Sequence, residues 1–206
     1  MSDFADFLEI QTQTAWGKTL IDFVDWSLVP GENITLTLDI GTGPGLLPAL
    51  LSTRRSLLAI GLDTDYSLLH AAPKNIPVTQ APAEHLPFPP ATFDMVTATN
   101  VIFLINDPLR ALRECHRILK PGCSLCLLNP SERLTVLAAD TLADARGLTG
   151  KNRESLLNWA ARAEKHGGWS ESRARELHTR AGFQLIETVT RVGPGFARYT
   201  RAQRLA

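Results

Sequence analysis

Apolar positions along the chain alternate between two spacings. Short apolar runs bounded by turn residues stand at 35–40, 57–62, 77–80, 93–100, 123–128, 184–192 and 196–201, and they read as strands. Between them, apolar residues recur at helical spacing. Over 4–28 the candidates are Phe7, Ile10, Leu20, Phe23, Val24 and Leu28, with polar residues and a glycine at 11–17. Two short helices are expected there, with a break near Trp16-Gly17. Further helices are expected after residue 45, over 66–72, from Pro108 with Asp107 as its cap, over 131–145 and 153–165, and from Ser170. The last two strands are joined by Gly193-Pro194-Gly195, a turn too short for a crossover, so they pair antiparallel.

The stretch 36–51 organises the rest. A strand ends on Asp39-Ile40, glycines follow at 41, 43 and 45, and a helical apolar run begins. Glycine permits left-handed backbone and close approach of a ligand. A ligand site at the carboxyl end of this strand follows. A dinucleotide turn would need a third glycine at position 46, which is Leu46. Asp63 ends the next strand about twenty residues on, where a nucleoside-binding fold places an acid on the ribose hydroxyls. Asp65 serves as cap of the helix after it.

Asp39-Ile40-Gly41-Thr42-Gly43-Pro44-Gly45 resembles the first motif of class I S-adenosylmethionine-dependent methyltransferases, of the methyltransferase domain 11 type. The stretch 60–65 resembles their second motif. Residues 81–94, with Ala83-Glu84-His85-Leu86-Pro87-Phe88 and Phe93-Asp94, resemble their adenine-side segment, and 113–122 their helix-to-strand passage. The resemblance implies a Rossmann-like α/β fold: a seven-stranded, mostly parallel sheet, helices on both faces, and an antiparallel C-terminal hairpin. It implies a single domain over 1–206, with an N-terminal helical cap at 1–30 and a helical insertion at 130–168 acting as a substrate lid.

The implied cofactor is S-adenosyl-L-methionine. Its implied ligands are Asp39, Gly41, Thr42, Gly43, Gly45, Asp63, Thr64, Ala83, Glu84, Asn100 and Trp16. Pro82 stands where the family carries the acid that receives the adenine amino group; Ala83 can still offer its main-chain N–H. His85 reads either as a catalytic base or as a solvent-facing loop residue. Asn100 reads either as a ligand near the methyl group or as a turn residue. Trp16, Trp159 and Trp169 could close on a ligand or pack in the core. The histidine pair that many relatives carry after strand four is replaced by Val101-Ile102-Phe103-Leu104-Ile105.

Composition narrows the partners. The formal net charge is zero, with 21 basic and 21 acidic residues, so no basic footprint points to nucleic acid. No apolar stretch reaches membrane-spanning length, and the acidic start lacks a signal peptide's layout, so a cytoplasmic protein is expected. Cys123 and Cys126 have C-x-x-C spacing. On a strand, residues three apart face opposite sides, so neither a metal site nor a redox pair is expected. The reading is methyl transfer to a small-molecule acceptor by in-line displacement, which needs a base only for a poorly ionised nucleophile. The alternatives are a non-catalytic cofactor- or partner-binding module and, disfavoured by Leu46, an NAD-dependent oxidoreductase.

Overall fold

The computed structural model describes residues 15–205; the expected helix start at Phe4 and the positions Phe7 and Ile10 lie outside them. The elements are α1 (Ala15–Ser27), β1 (Leu36–Ile40), α2 (Leu46–Arg54), β2 (Leu58–Asp63), α3 (Tyr66–Leu69), β3 (Val78–Gln80) and β4 (Phe93–Thr99). A 3-10 turn (Ile102–Leu104) leads to α4 (Pro108–Ile118) and β5 (Leu119–Pro130). Then come α5 (Val136–Ala145), α6 (Gly150–His166), α7 (Glu171–Arg180), β6 (Phe183–Arg191) and β7 (Ala197–Arg204).

The seven strands form one sheet in the order β3-β2-β1-β4-β5-β7-β6. The first five are parallel, and β7 slots antiparallel between β5 and β6. Chain order reverses between β1 and β4. Their carboxyl ends therefore diverge into a crevice, the place where open α/β sheets receive ligands.

Each face of the sheet buries one layer of helices. Leu38, Val96, Leu125 and Leu127 pack under Leu112, Cys115 and Ile118 of α4 and Ala174 and Leu177 of α7. Met95, Cys126, Leu128 and Tyr199 pack under Phe23 and Val24 of α1 and Leu47 and Leu51 of α2. Cys126 belongs to this second layer, whereas Cys123 packs against the first, so the two lie on opposite faces of the sheet. A third cluster joins α5 and α6 through Ala139, Ala160 and Ala163 to Phe196 at the start of the closing hairpin.

Asp94 ties the entry of the sheet together. It accepts hydrogen bonds from the Thr35 and Leu36 N–H groups, the Thr35 hydroxyl and Lys120 Nζ, the last at 2.6 Å. Burial opposes its charge, but these donors outweigh burial and hold its pKa down at about 2.

α1 begins at Ala15 and holds Trp16 and Gly17 in its first turn, where Trp16 packs edge-on to Trp159; the helix expected before it lies outside the described residues. Three expectations change. β5 begins at Leu119, not Cys123. Its pairing jumps from Phe93–Leu119 to Met95–Ser124, and Gly122 at φ +77° carries the extra residues through an irregularity. α5 starts at Val136, since Ser131 is taken up in bonds to Phe196 and Gly195 and Thr135 supplies the cap. α6 starts three residues early, at Gly150.

Candidate active site

The glycine turn is held from β2. The N–H groups of Gly41 and Thr42 both donate to the Leu62 carbonyl, at 2.7 and 3.0 Å, and the Gly43 N–H donates to Asp63 Oδ2 at 2.8 Å. Gly41, Gly43 and Gly45 are all left-handed, at φ +68°, +54° and +76°. This alternation folds the chain back on itself between β1 and α2. It also spends the three N–H groups inside the protein, so the turn offers a ligand close backbone approach instead of an anion cradle. A Cβ on Gly41 would lie 2.6 Å from the Val101 side chain, so the turn and the β4 exit are in contact.

Asp63 is braced on both oxygens. Oδ2 takes the Gly43 N–H and Oδ1 the Asp65 N–H at 3.0 Å. Each carboxylate oxygen has a further lone pair available to a diol. Asp39 lies at the end of β1 with 1% exposure, and Thr97 Oγ1 of β4 donates to it at 2.8 Å. Burial pushes its pKa up to about 7; the Thr97 and Thr42 hydroxyls oppose this and the nearby Asp63 charge adds to it.

These residues line a cavity of about 840 Å³ over the carboxyl ends of β1, β2 and β4. That is ample for a drug-sized cofactor with a small second molecule. Trp16, Asp39, Gly41, Thr42, Gly43, Asp63, Thr64, Ala83, Glu84 and Asn100 all line it, together with Pro82. Two named residues do not. Gly45 caps α2 and packs beside Ala72, so its part is in the turn. His85 faces α4 on the exposed side, with Arg110 Nη2 3.3 Å from its Nδ1.

Asn100 sits in a turn and also lines the cavity. Its backbone is left-handed at φ +55°, with its N–H on the Leu128 carbonyl at 2.7 Å. Its side chain lines the cavity, where Oδ1 accepts from Trp159 Nε1 at 3.0 Å. Trp159 in turn meets Trp16, with ring centroids 5.7 Å apart. The α1 and α6 helices thus meet over the β4 exit. Trp169, by contrast, is fully buried in the core.

Of the wall contributed by α5 and α6, the sequence reading named the insertion and Trp159 but none of the other residues. The wall is built by Leu142 and Arg146 of α5 and its end, by Leu148, and by Asn152, Ser155, Leu156, Trp159 and Arg162 of α6, with Val192 from the hairpin. The α6 members recur at helical spacing, the one signal that could have found them.

The site fits S-adenosylmethionine. Ala83 is 5% exposed, lines the cavity, and its main-chain N–H has no partner among the described residues, as a donor to an adenine ring nitrogen requires. The acids Asp39, Asp63 and Glu84 on this side suit a sulfonium and an ammonium group. Among the described residues no cluster of His, Cys, Asp and Glu could hold a metal, and no helix is long and apolar enough to cross a membrane.

Sheet order, braced glycine turn and terminal β2 acid together give the Rossmann-like fold that class I S-adenosylmethionine-dependent methyltransferases have. Residues 38–127 match the family model described as methyltransferase domain, Methyltransf_11. The chain is 34% identical over 118 residues to the ubiquinone/menaquinone biosynthesis C-methyltransferase UbiE of Vibrio parahaemolyticus, covering 50% of this chain and 43% of the relative. It is 31% identical over 125 residues to the demethylmenaquinone methyltransferase of Thermotoga maritima, covering 59% and 52%. The chain spans about half the length of the curated relatives it matches. Among solved structures, a SAM-dependent methyltransferase from Thermotoga maritima superposes with a TM-score of 0.67 at 20% identity, covering 98% of this chain and 96% of that one.

Proposed function

We propose that this chain transfers a methyl group from S-adenosylmethionine to a small-molecule acceptor in the cytoplasm. The observation that carries the reading is the single cavity shared by the Gly43–Asp63 bracket and the Trp16–Trp159–Asn100 contact. The bracket faces the cofactor's ribose, and the tryptophans close the opposite side. The cofactor supplies a methyl carbon already activated by a sulfonium. What remains for the protein is alignment and exclusion of water. Asp63 orients the ribose, Ala83 and Pro82 the adenine, and Asp39 with Glu84 the cationic end. Asn100, held by Trp159, stands at the strand end nearest the acceptor.

No His, Lys, Cys or Tyr lines the cavity among the described residues. An acceptor atom that arrives ionised or is intrinsically nucleophilic needs no such side chain. Carbon methylation, the reaction named for the UbiE relative, meets that condition when the carbon is part of an enolate. The same absence supports the second reading, a non-catalytic binding module with this fold. We read the α5–α6 pair as a lid over an otherwise single domain.

Two measurements separate the readings. Calorimetry with S-adenosylmethionine and NAD should give heat of binding only with the former; tight NAD binding without a response to S-adenosylmethionine would sink the proposal. Incubation with methyl-labelled cofactor and an extract of small metabolites should label at least one product. Cofactor binding with no labelled product across a broad panel favours the binding module.

A further inference from the structure

The geometry points to an anionic acceptor: a small molecule with an apolar body and an oxyanion, received by Arg146 and Arg162. This assignment rests on the methyltransferase reading above and names its substrate class. Charge is segregated in the cavity. Its acids, Asp39, Asp63 and Glu84, all lie on the cofactor side, at β1, β2 and the segment after β3. Its only cationic side chains among the described residues are Arg146 and Arg162, and both stand on the opposite wall, at the end of α5 and on α6. No acid accompanies them there.

Neither guanidinium has a hydrogen bond or ion pair among the described residues. Arg153, on the same helix as Arg162, shows the contrast: it is turned to α5 and held by Asp140 and Asp144 at 2.5 and 2.6 Å. α6 thus separates its arginines, one tying the two helices together and the other facing the cavity. Leu142, Leu156, Trp159 and Phe103 also line the cavity and offer apolar surface to the body of the ligand. A guanidinium offers paired donors matched to carboxylate, sulfate or phosphate oxygens. The oxyanion would dock at the rim and set the reacting atom deeper, towards Asn100. The zero net charge of the chain means that this recognition is local.

The test uses the full chain loaded with S-adenosylhomocysteine. It is titrated by calorimetry with matched pairs: benzoate and benzamide, phenylacetate and phenylacetamide, octanoate and octanamide, and phenyl phosphate and phenyl sulfate beside phenol. At least one anion is expected to bind ten times tighter than its neutral partner, and the best anion class identifies the oxyanion. The double variant R146Q/R162Q should lose that preference while keeping its affinity for S-adenosylhomocysteine, which also reports that it is folded. R146K/R162K should recover part of the preference. Equal affinities within every pair, or a preference that survives the double glutamine variant, overturns the assignment and leaves the methyltransferase reading standing. A fall in S-adenosylhomocysteine affinity in a variant of native circular dichroism also overturns it, since the arginines then serve the cofactor's carboxylate. A wild-type chain that does not bind S-adenosylhomocysteine at all overturns the methyltransferase reading and this assignment with it.

Discussion

Asp63 and Asp39 end neighbouring strands and face one cavity, yet they have different tasks. Asp63 is braced by two backbone donors, so its orientation costs the ligand little to use. Asp63→Ala should weaken S-adenosylmethionine binding by about 1–3 kcal/mol, the range for a hydrogen bond to a charged group; unchanged affinity by calorimetry would refute the ribose role. Asp39 is buried, and its pKa stands at about 7 against 3.8 for a free side chain. Between those values the native chain holds a proton that the unfolded chain has released. Its contribution to stability is therefore full below 3.8, falls as pH rises to about 7, and is flat above that. In Asp39→Asn that part of the pH dependence should vanish, so the variant gains on the wild type between pH 5 and pH 7.5 in denaturant titrations. Parallel pH curves would show that Asp39 is ionised throughout. The glycine and acid positions were legible in the sequence because turn chemistry and strand ends are local. Thr97 and Val101, which hold Asp39 and Gly41 in place, were not, because both contacts cross from β4 to β1.

At the level of elements, two side-chain ties join neighbouring elements, one at the site and one at the opposite end of the sheet. The first is Trp159 on Asn100, which binds α6 to the end of β4. Trp159→Phe keeps an aromatic ring, smaller than the indole, and removes the donor, and should lower unfolding free energy by at least about 1 kcal/mol. Trp159→Ala should lose more, since the contact with Trp16 goes as well; a melting temperature unchanged in both variants would argue against the tether. The second is Asp94, which gathers the start of β1 and Lys120 of β5. Its depressed pKa means that the stability it adds is present above 3.8 and is lost as pH falls through about 2. Asp94→Asn should therefore melt below the wild type at pH 7, with the gap closing towards pH 2. A gap independent of pH would assign the effect to shape alone. Helix caps such as Asp107 and Ser170 were readable from sequence, because a cap needs only residues three positions apart. The early start of β5 was not, since a bulge is visible only against the partner strand.

Across the whole molecule, the sheet carries two helical layers, and α5 with α6 form a separate cluster of Leu134, Ala139, Ala160, Ala163 and Phe196 against which Leu142, Leu156, Leu157 and Trp159 pack. If the pair is a lid, its amides should exchange with solvent faster than those of β1, β4 and β5, and should slow when S-adenosylhomocysteine is added. Protection that is equal to the sheet's and insensitive to ligand would remove that role. The sequence by itself determined the strand–turn–helix at 36–51, the acid at position 63 and the antiparallel close, because each is written in neighbouring residues: glycine's backbone freedom, apolar period, and a turn too short to cross over. Only the tertiary structure decided what faces the glycine turn. Trp16, Asn100, Trp159, Arg146 and Arg162 come from four separate stretches, and no local preference links them. They meet because packing α6 between α5 and the end of the sheet leaves one face of that helix turned to the crevice.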